Sequence, residues 1–216
     1  MLTKSNLEVK HLSSTFICSA ITLVIGFLIL GLATDFGKSF TTEGYRRHQI
    51  DRHPESIPNL LLQNENGQKV YLSDSIKKDN RFVLLNFFYT SCKTICTSQT
   101  TKFDGLQGKI ISKKLEDKVR LISISFDPEH DDAEAIRKYS KQVDANQTIW
   151  NIFTLQNPND LNLLLDQFGI YVIKVPPFND LDHNASLHLI SPQSKLIKIT
   201  SLEDVDDLFS TLTNLL

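Results

Sequence analysis

The chain has 216 residues, 41% of them hydrophobic and 22% charged, enough for one globular domain of ordinary size plus an extension. A formal net charge of −2 leaves no electrostatic footprint for nucleic acid and argues against that partner. Of the three cysteines, Cys18 lies in an apolar run. Cys92 and Cys96 are therefore an isolated pair, which suits a compartment where a disulfide can form.

Residues 1–11 form a short polar segment with Lys4 and Lys10, and residues 12–34 contain no charge. The core of that second stretch, Phe16 to Ala33, has about the length of a bilayer-spanning helix. A secretory signal would have a shorter apolar centre of about 7–15 residues. Gly31-Leu32-Ala33 has the small-x-small form of a cleavage site, but the length favours an uncleaved anchor over residues 12–34. Basic residues stand on both sides of it (Lys4 and Lys10; Lys38, Arg46 and Arg47), so charge does not set its orientation. The cysteine pair does. To meet an oxidising space, the domain faces the bacterial periplasm or the mitochondrial intermembrane space. Residues 35–56 are polar and of mixed charge, and read as a tether whose His48 and His53 are solvated.

The folded domain is expected over residues 57–216. Leu60–Gln63 and Lys69–Leu72 flank a turn containing Gly67 and predict a β-hairpin. Ser73 or Asp74 should cap a short helix. Phe82–Tyr89 has the length and composition of a buried strand. Thr90 or Ser91 is the candidate N-cap of a helix that continues through Phe103, Leu106 and Ile110. Val119–Phe126 is the next strand, broken by Asp127-Pro128, and Asp131–Val143 is helical. Ile149–Leu155 is a strand, a helix follows Pro158, and residues 176–180 are a loop. A hairpin of Ser186–Ile190 with Lys195–Thr200 and a terminal helix over Leu202–Leu216 complete the chain. This alternation predicts an α/β domain with a central mixed sheet covered by helices on both faces and an extra N-terminal hairpin. A Cys-x-x-x-Cys at the end of the first long strand fits a thioredoxin-like arrangement.

If the helix starts at Thr90 or Ser91, Cys92 falls in its first turn and Cys96 one turn on, on the same face. Unpaired N–H groups and partial positive charge there favour a thiolate. Cα atoms so placed are about 6 Å apart, within the range of about 4.4–6.8 Å that a disulfide accepts. The same two sulfurs can instead clamp a soft metal ion with a third ligand from elsewhere. Two small buried hydrophobes would also account for the pair. A closed zinc site needs four ligands, and the chain has no second cysteine pair.

The domain resembles the Sco/SenC family of membrane-tethered copper chaperones over about Ile57 to Thr200. Asn86-Phe87-Phe88-Tyr89-Thr90-Ser91-Cys92 with Cys96 resembles the family's F-x-Y-T-x-C-x-x-x-C box. Ser125-Phe126-Asp127-Pro128-Glu129-His130-Asp131 is similar to its S-x-D-P-E-x-D segment. Phe168-Gly169-Ile170 and Asp182-His183, with Leu189-Ile190-Ser191-Pro192 behind, resemble its F-G-V and D-H elements. The resemblance implies copper, Cu(I) or Cu(II), held by Cys92, Cys96 and His183. Asp127 then either orients a ligand or caps the helix after Pro128.

The chain departs from the family at Lys93 and Thr97, which stand where proline commonly follows each cysteine. His188 replaces an aromatic residue and His130 an arginine; either offers a further ligand or is a plain substitution. The implied function is delivery of copper to the CuA centre of cytochrome c oxidase, with the CuA-bearing subunit or another copper acceptor as partner. This is a chaperone rather than an enzyme in the strict sense. The alternative is a membrane-tethered thiol–disulfide oxidoreductase, in which Cys92 attacks and Cys96 resolves. A peroxide-reducing enzyme fits less well, because the cysteine spacing is wrong and no activating arginine is evident.

Overall fold

The computed structural model describes residues 3–33, 41–91, 95–175 and 180–216. Two compact units divide the chain, Met1–His48 and Gln49–Leu216.

The first unit is dominated by helix α1, Thr3–Ala33. Its stretch Thr15–Leu32 is long and apolar enough to cross a membrane by length and composition, about 27 Å at 1.5 Å per residue. Its large apolar side chains are exposed, from Phe16 to Leu32. Thr22 donates its hydroxyl to the Cys18 carbonyl (2.9 Å), so this polar group is satisfied within the helix. Helix α2, Thr42–Arg52, follows. It lies inside the stretch expected as a tether. An Arg47–Glu43 pair at i,i+4 (2.9 Å) supports it, a local signal that the polar composition masked.

The second unit is built on strand β4, Phe82–Phe88, in which all but Phe82 are buried. Around it, among the described residues, an eight-stranded sheet has the order β1-β10-β9-β4-β5-β6-β2-β3. The other strands are β1 Glu55–Ser56, β2 Leu61–Asn64, β3 Lys69–Tyr71, β5 Val119–Ser125, β6 Trp150–Leu155, β9 Ser186–Ile190 and β10 Lys195–Ser201. β4, β5 and β6 are parallel, while the β2–β3 and β9–β10 hairpins join antiparallel. The sheet is therefore mixed, as expected. Helix α3, Leu72–Asp79, starts before either expected cap. The side chain of Asn59 accepts the Asp74 N–H instead (3.2 Å), a partner fifteen residues away.

Helices cover both faces. On the face of Asn86 and Phe88, Tyr139 of α5 (Ala133–Gln142) stacks on Phe88 at 4.4 Å. Phe103 of α4 (Ile95–Ser112) packs on Trp150 at 5.6 Å. Thr100 and Tyr139 share a hydroxyl hydrogen bond of 2.8 Å that ties α4 to α5. The buried polar atoms of this layer form a chain: Trp150 Nε1–H donates to Ser123 Oγ (2.8 Å), which donates to Asn86 Oδ1 (2.5 Å). On the opposite face, Phe168 of α6 (Leu161–Phe168) packs on Phe87 at 5.1 Å and on His188 at 5.3 Å. The terminal helix α7, Val205–Leu215, buries Val205, Leu208, Phe209 and Leu212.

A separate two-stranded ribbon was not expected. Val172–Val175 (β7) pairs antiparallel with Asp180–His183 (β8), Val172 opposite His183. Residues 176–179 of the expected loop lie outside the described residues.

Candidate metal centre

The site is assembled at the C-terminal end of β4, where Phe88 gives way to Tyr89, Thr90 and Ser91. Cys92 and Lys93 lie outside the described residues, and Cys96 is described as backbone, in the first turn of α4. Thr90 is held by Asp131. It donates its N–H to Asp131 Oδ2 (2.9 Å) and its hydroxyl to Asp131 Oδ1 (2.5 Å). Ser125 Oγ also donates to Asp131 Oδ2 (2.5 Å). Asp131 is 1% exposed, and burial raises its pKa above the ordinary carboxylate range despite these donors. One carboxyl group thus fastens the residue two before Cys92 to the end of β5.

The motif's other acid behaves differently. Asp127 does not cap α5; Asp132 does, accepting the N–H groups of Glu134 and Ala135 (both 2.9 Å). Asp127 instead bonds His130 Nδ1 through Oδ1 (2.8 Å), and this hydrogen bond raises the His130 pKa. The His130 side chain is 72% exposed.

His183 ends β8 and is 5% exposed. Its Nδ1 lies 3.1 Å from the Asn184 carbonyl oxygen. A carbonyl only accepts, so Nδ1 carries the hydrogen and the lone pair falls on Nε2, the tautomer a metal-binding imidazole needs. The ring packs edge-on to Phe126 at 4.8 Å. Asn184 is itself held, donating to the Gly169 carbonyl (2.9 Å) and accepting the Tyr171 N–H (2.8 Å). Gly169 closes α6 at φ +64, a left-handed conformation that glycine adopts without strain.

Tyr89 links the two halves of the site. Its hydroxyl donates to the Leu181 carbonyl (3.1 Å) and accepts the Leu181 N–H (3.2 Å), two residues before His183. Its ring packs on Phe126 at 5.3 Å. The strand leading to Cys92 and the strand carrying His183 therefore share one phenol. Sequence reasoning assigned no role to Tyr89 or Asp131. Their place inside the two motifs was the available signal, but their partners lie 92 and 41 residues away.

His188 is fully buried on β9. Its Nε2–H donates to the Phe168 carbonyl (2.9 Å), and its ring meets Phe87 at 5.4 Å, edge-on. That is the environment of a core aromatic with one polar tip. Among the described residues, no three His, Cys, Asp or Glu side chains come together as a metal cage.

The described half of the site carries a buried, oriented imidazole and two braces, on Thr90 and on Leu181. The family model described as SCO1/SenC matches residues 52–216. The chain belongs to the SCO1/SenC family.

Within that family, the chain is 29% identical over 140 residues to the SCO1 protein homolog of Bacillus subtilis (strain 168), covering 64% of this chain and 70% of that one. Its fold is similar to that of BsSco, a member of the Sco family of cytochrome c oxidase assembly proteins in which a disulfide switch has been identified. The TM-score is 0.63 at 26% identity, over 75% of this chain and 94% of that one. It is also similar to Bradyrhizobium japonicum ScoI with copper bound, with a TM-score of 0.60 at 23% identity, over 75% and 99% of the two chains. The thioredoxin-like α/β fold expected from the sequence is thereby the fold of the family.

Proposed function

We propose that the chain is a membrane-tethered copper chaperone that holds copper through Cys92, Cys96 and His183 and delivers it to the CuA centre during cytochrome c oxidase assembly. The observation that carries this reading is His183. An imidazole held by the Asn184 carbonyl, with Nε2 as its acceptor nitrogen, is a ligand set in advance, and a protein that only exchanged disulfides would not need it. Two thiolates and one imidazole are a soft, three-coordinate set suited to Cu(I). The copper bound to a structural relative and the oxidase-assembly role of BsSco support the same reading. Copper here is cargo, passed to an acceptor by ligand exchange. Residues 12–34 serve as the anchor, residues 35–56 as the connection and residues 57–216 as the domain, which faces an oxidising space.

A second reading keeps the same residues. The chain reduces a disulfide in the oxidase subunit or another exported protein, as the disulfide switch of BsSco and the lysine after Cys92 suggest. The Cys92 thiolate attacks one sulfur of the substrate disulfide and expels the other as a thiolate. Cys96 then attacks Cys92, releasing the reduced substrate and leaving the Cys92–Cys96 disulfide.

A Cu(I) competition titration on the reduced full chain in detergent tests the first reading. The expected result is about one copper per chain, with affinity abolished in Cys92→Ser and lowered about 10–100-fold in His183→Ala. Equal copper binding by wild type and Cys92→Ser, or none by wild type, overturns it.

A further inference from the structure

Helix α6 ends on carbonyls that its own backbone does not close. A helix leaves its last C=O groups without intrahelical partners. Two near the end of α6 are met locally, the Asp166 carbonyl by the Gly169 N–H (3.2 Å) and the Leu165 carbonyl by the Ile170 N–H (2.8 Å). The carbonyls of Phe168 and Gly169 accept instead from side chains beyond the helix. His188 Nε2–H, on β9, donates to Phe168 (2.9 Å), and Asn184 Nδ2–H, between β8 and β9, donates to Gly169 (2.9 Å). Asn184 Oδ1 accepts the Tyr171 N–H (2.8 Å), so one carboxamide spans the helix end and the approach to β7.

The anchor itself is firm: Leu164 and Phe168 are fully buried, and Phe168 packs on Phe87 of β4. An asparagine at the end of a strand commonly bonds its own backbone two residues on, as a local turn. The partners of Asn184 are instead 15 and 13 residues away, which a turn does not require. The main-chain carbonyl of the same residue lies 3.1 Å from His183 Nδ1. One hydrogen bond from Nδ1 fixes the direction of Nε2 only if its acceptor is fixed too. Phe126 meets the ring edge-on at 4.8 Å, but packing alone leaves a ring free to turn about its Cβ–Cγ bond.

We infer that Asn184 is a positioning residue for the His183 imidazole: its side chain anchors its own carbonyl to the end of α6, and that carbonyl sets the direction of the ring. The path runs from the buried helix through the Gly169 carbonyl and the Asn184 carboxamide to the Asn184 carbonyl and His183 Nδ1. Each hydrogen bond in such a series restricts the next. His188, the other side-chain donor to α6, bonds one carbonyl earlier and has no part in this path. A ring held in advance loses less freedom when its free nitrogen takes up a ligand. The inference deepens the copper-handling reading and rests on it for the effect on affinity, but not for the effect on the ring.

The test uses the reduced, metal-free full chain in detergent. Nuclear Overhauser contacts between the His183 and Phe126 rings report the direction of the imidazole. They are expected in wild type and should be lost in Asn184→Ala. His188→Phe is the control: it removes the other side-chain donor to α6 and keeps an aromatic ring. It should lower thermal stability and keep the contacts. Cu(I) affinity, measured by competition, should fall about tenfold in Asn184→Ala. In a His183→Ala background the same change should make no further difference, because a positioning residue acts through the group it positions.

Ring contacts in Asn184→Ala equal to those in wild type would overturn the inference, and so would their absence from wild type. Loss of the contacts in His188→Phe as well would also overturn it, because any loosening of α6 would then release the ring. An equal loss of affinity in the His183→Ala background would do the same. If Asn184→Ala fails to fold, Asn184→Asp decides, since it keeps the size of the side chain and removes its donor to Gly169. If wild type binds no Cu(I) while the ring contacts change as expected, the inference stands and the chaperone reading fails. If wild type binds copper through Cys92 and Asn184→Ala matches it in both measurements, the chaperone reading stands and the inference fails.

Discussion

Asp131 and Asp127 are four residues apart in one acidic motif, and their environments separate them. Asp131 gathers three donors inside the protein, whereas Asp127 meets an exposed histidine. Asp131→Ala leaves the Thr90 N–H and the hydroxyls of Thr90 and Ser125 without their acceptor. It should cost about 2–4 kcal/mol in urea unfolding, and Asp131→Asn less. The pH dependence follows from the raised pKa. A carboxyl group that holds its proton more tightly when folded contributes most below its unfolded value, about 4, and that contribution is lost as pH rises through the raised folded value. Wild-type stability relative to Asp131→Asn should therefore fall as pH rises from the acidic range to neutrality. Urea midpoints of the two proteins at several pH values check this, and an opposite trend would mean that the three donors outweigh burial. The sequence placed Asp127 near the site and gave Asp131 no role, because which acid is buried depends on how the end of β5 meets Thr90.

At the scale of elements, β4 carries the organisation of the site. Its apolar run and the cysteine spacing were legible because a strand's composition and a helix's period are local properties. The β7–β8 ribbon was not legible. Lys174, Asp180 and Asp182 break any apolar alternation, and the pairing of Val172 with His183 spans a loop containing two prolines. The ribbon is held at the site by the Tyr89 hydroxyl, so Tyr89→Phe should free the Leu181 backbone. The expected loss is about 1–2 kcal/mol of stability. Cu(I) affinity should fall several-fold, through the histidine arm alone. Amide hydrogen exchange at Leu181 and His183 should accelerate while β4 and β5 stay protected. Unchanged exchange at Leu181 would mean that the phenol does not brace the ribbon.

Across the whole molecule, α1 and the sheet domain belong to separate units. The large apolar side chains of α1 from Phe16 to Leu32 are exposed, whereas the domain buries an apolar core. If α1 is an anchor, the chain should resist alkaline carbonate extraction from membranes. Ile25→Arg, near the centre of the apolar stretch, should weaken insertion by about 2.5–3.5 kcal/mol and release a large fraction of the protein. Full release of the wild-type chain by carbonate would remove the anchor from the proposal.

The sequence by itself determined what depends on neighbours in the chain: the apolar stretch of α1, the buried strand ending in Cys-x-x-x-Cys, the two hairpins and the alternation of strand and helix. A motif resemblance, rather than geometry, is what proposes His183 as a third ligand. Only the tertiary structure decided which polar atoms meet. Thr90 bonds Asp131, Asp132 caps α5 in place of Asp127, and His188 gives its Nε2–H to Phe168 inside the core. These outcomes rest on contacts across tens of residues. Hydrogen bonding is directional and short-ranged, so two residues that look equivalent along the chain differ once the sheet has chosen which of them to bury.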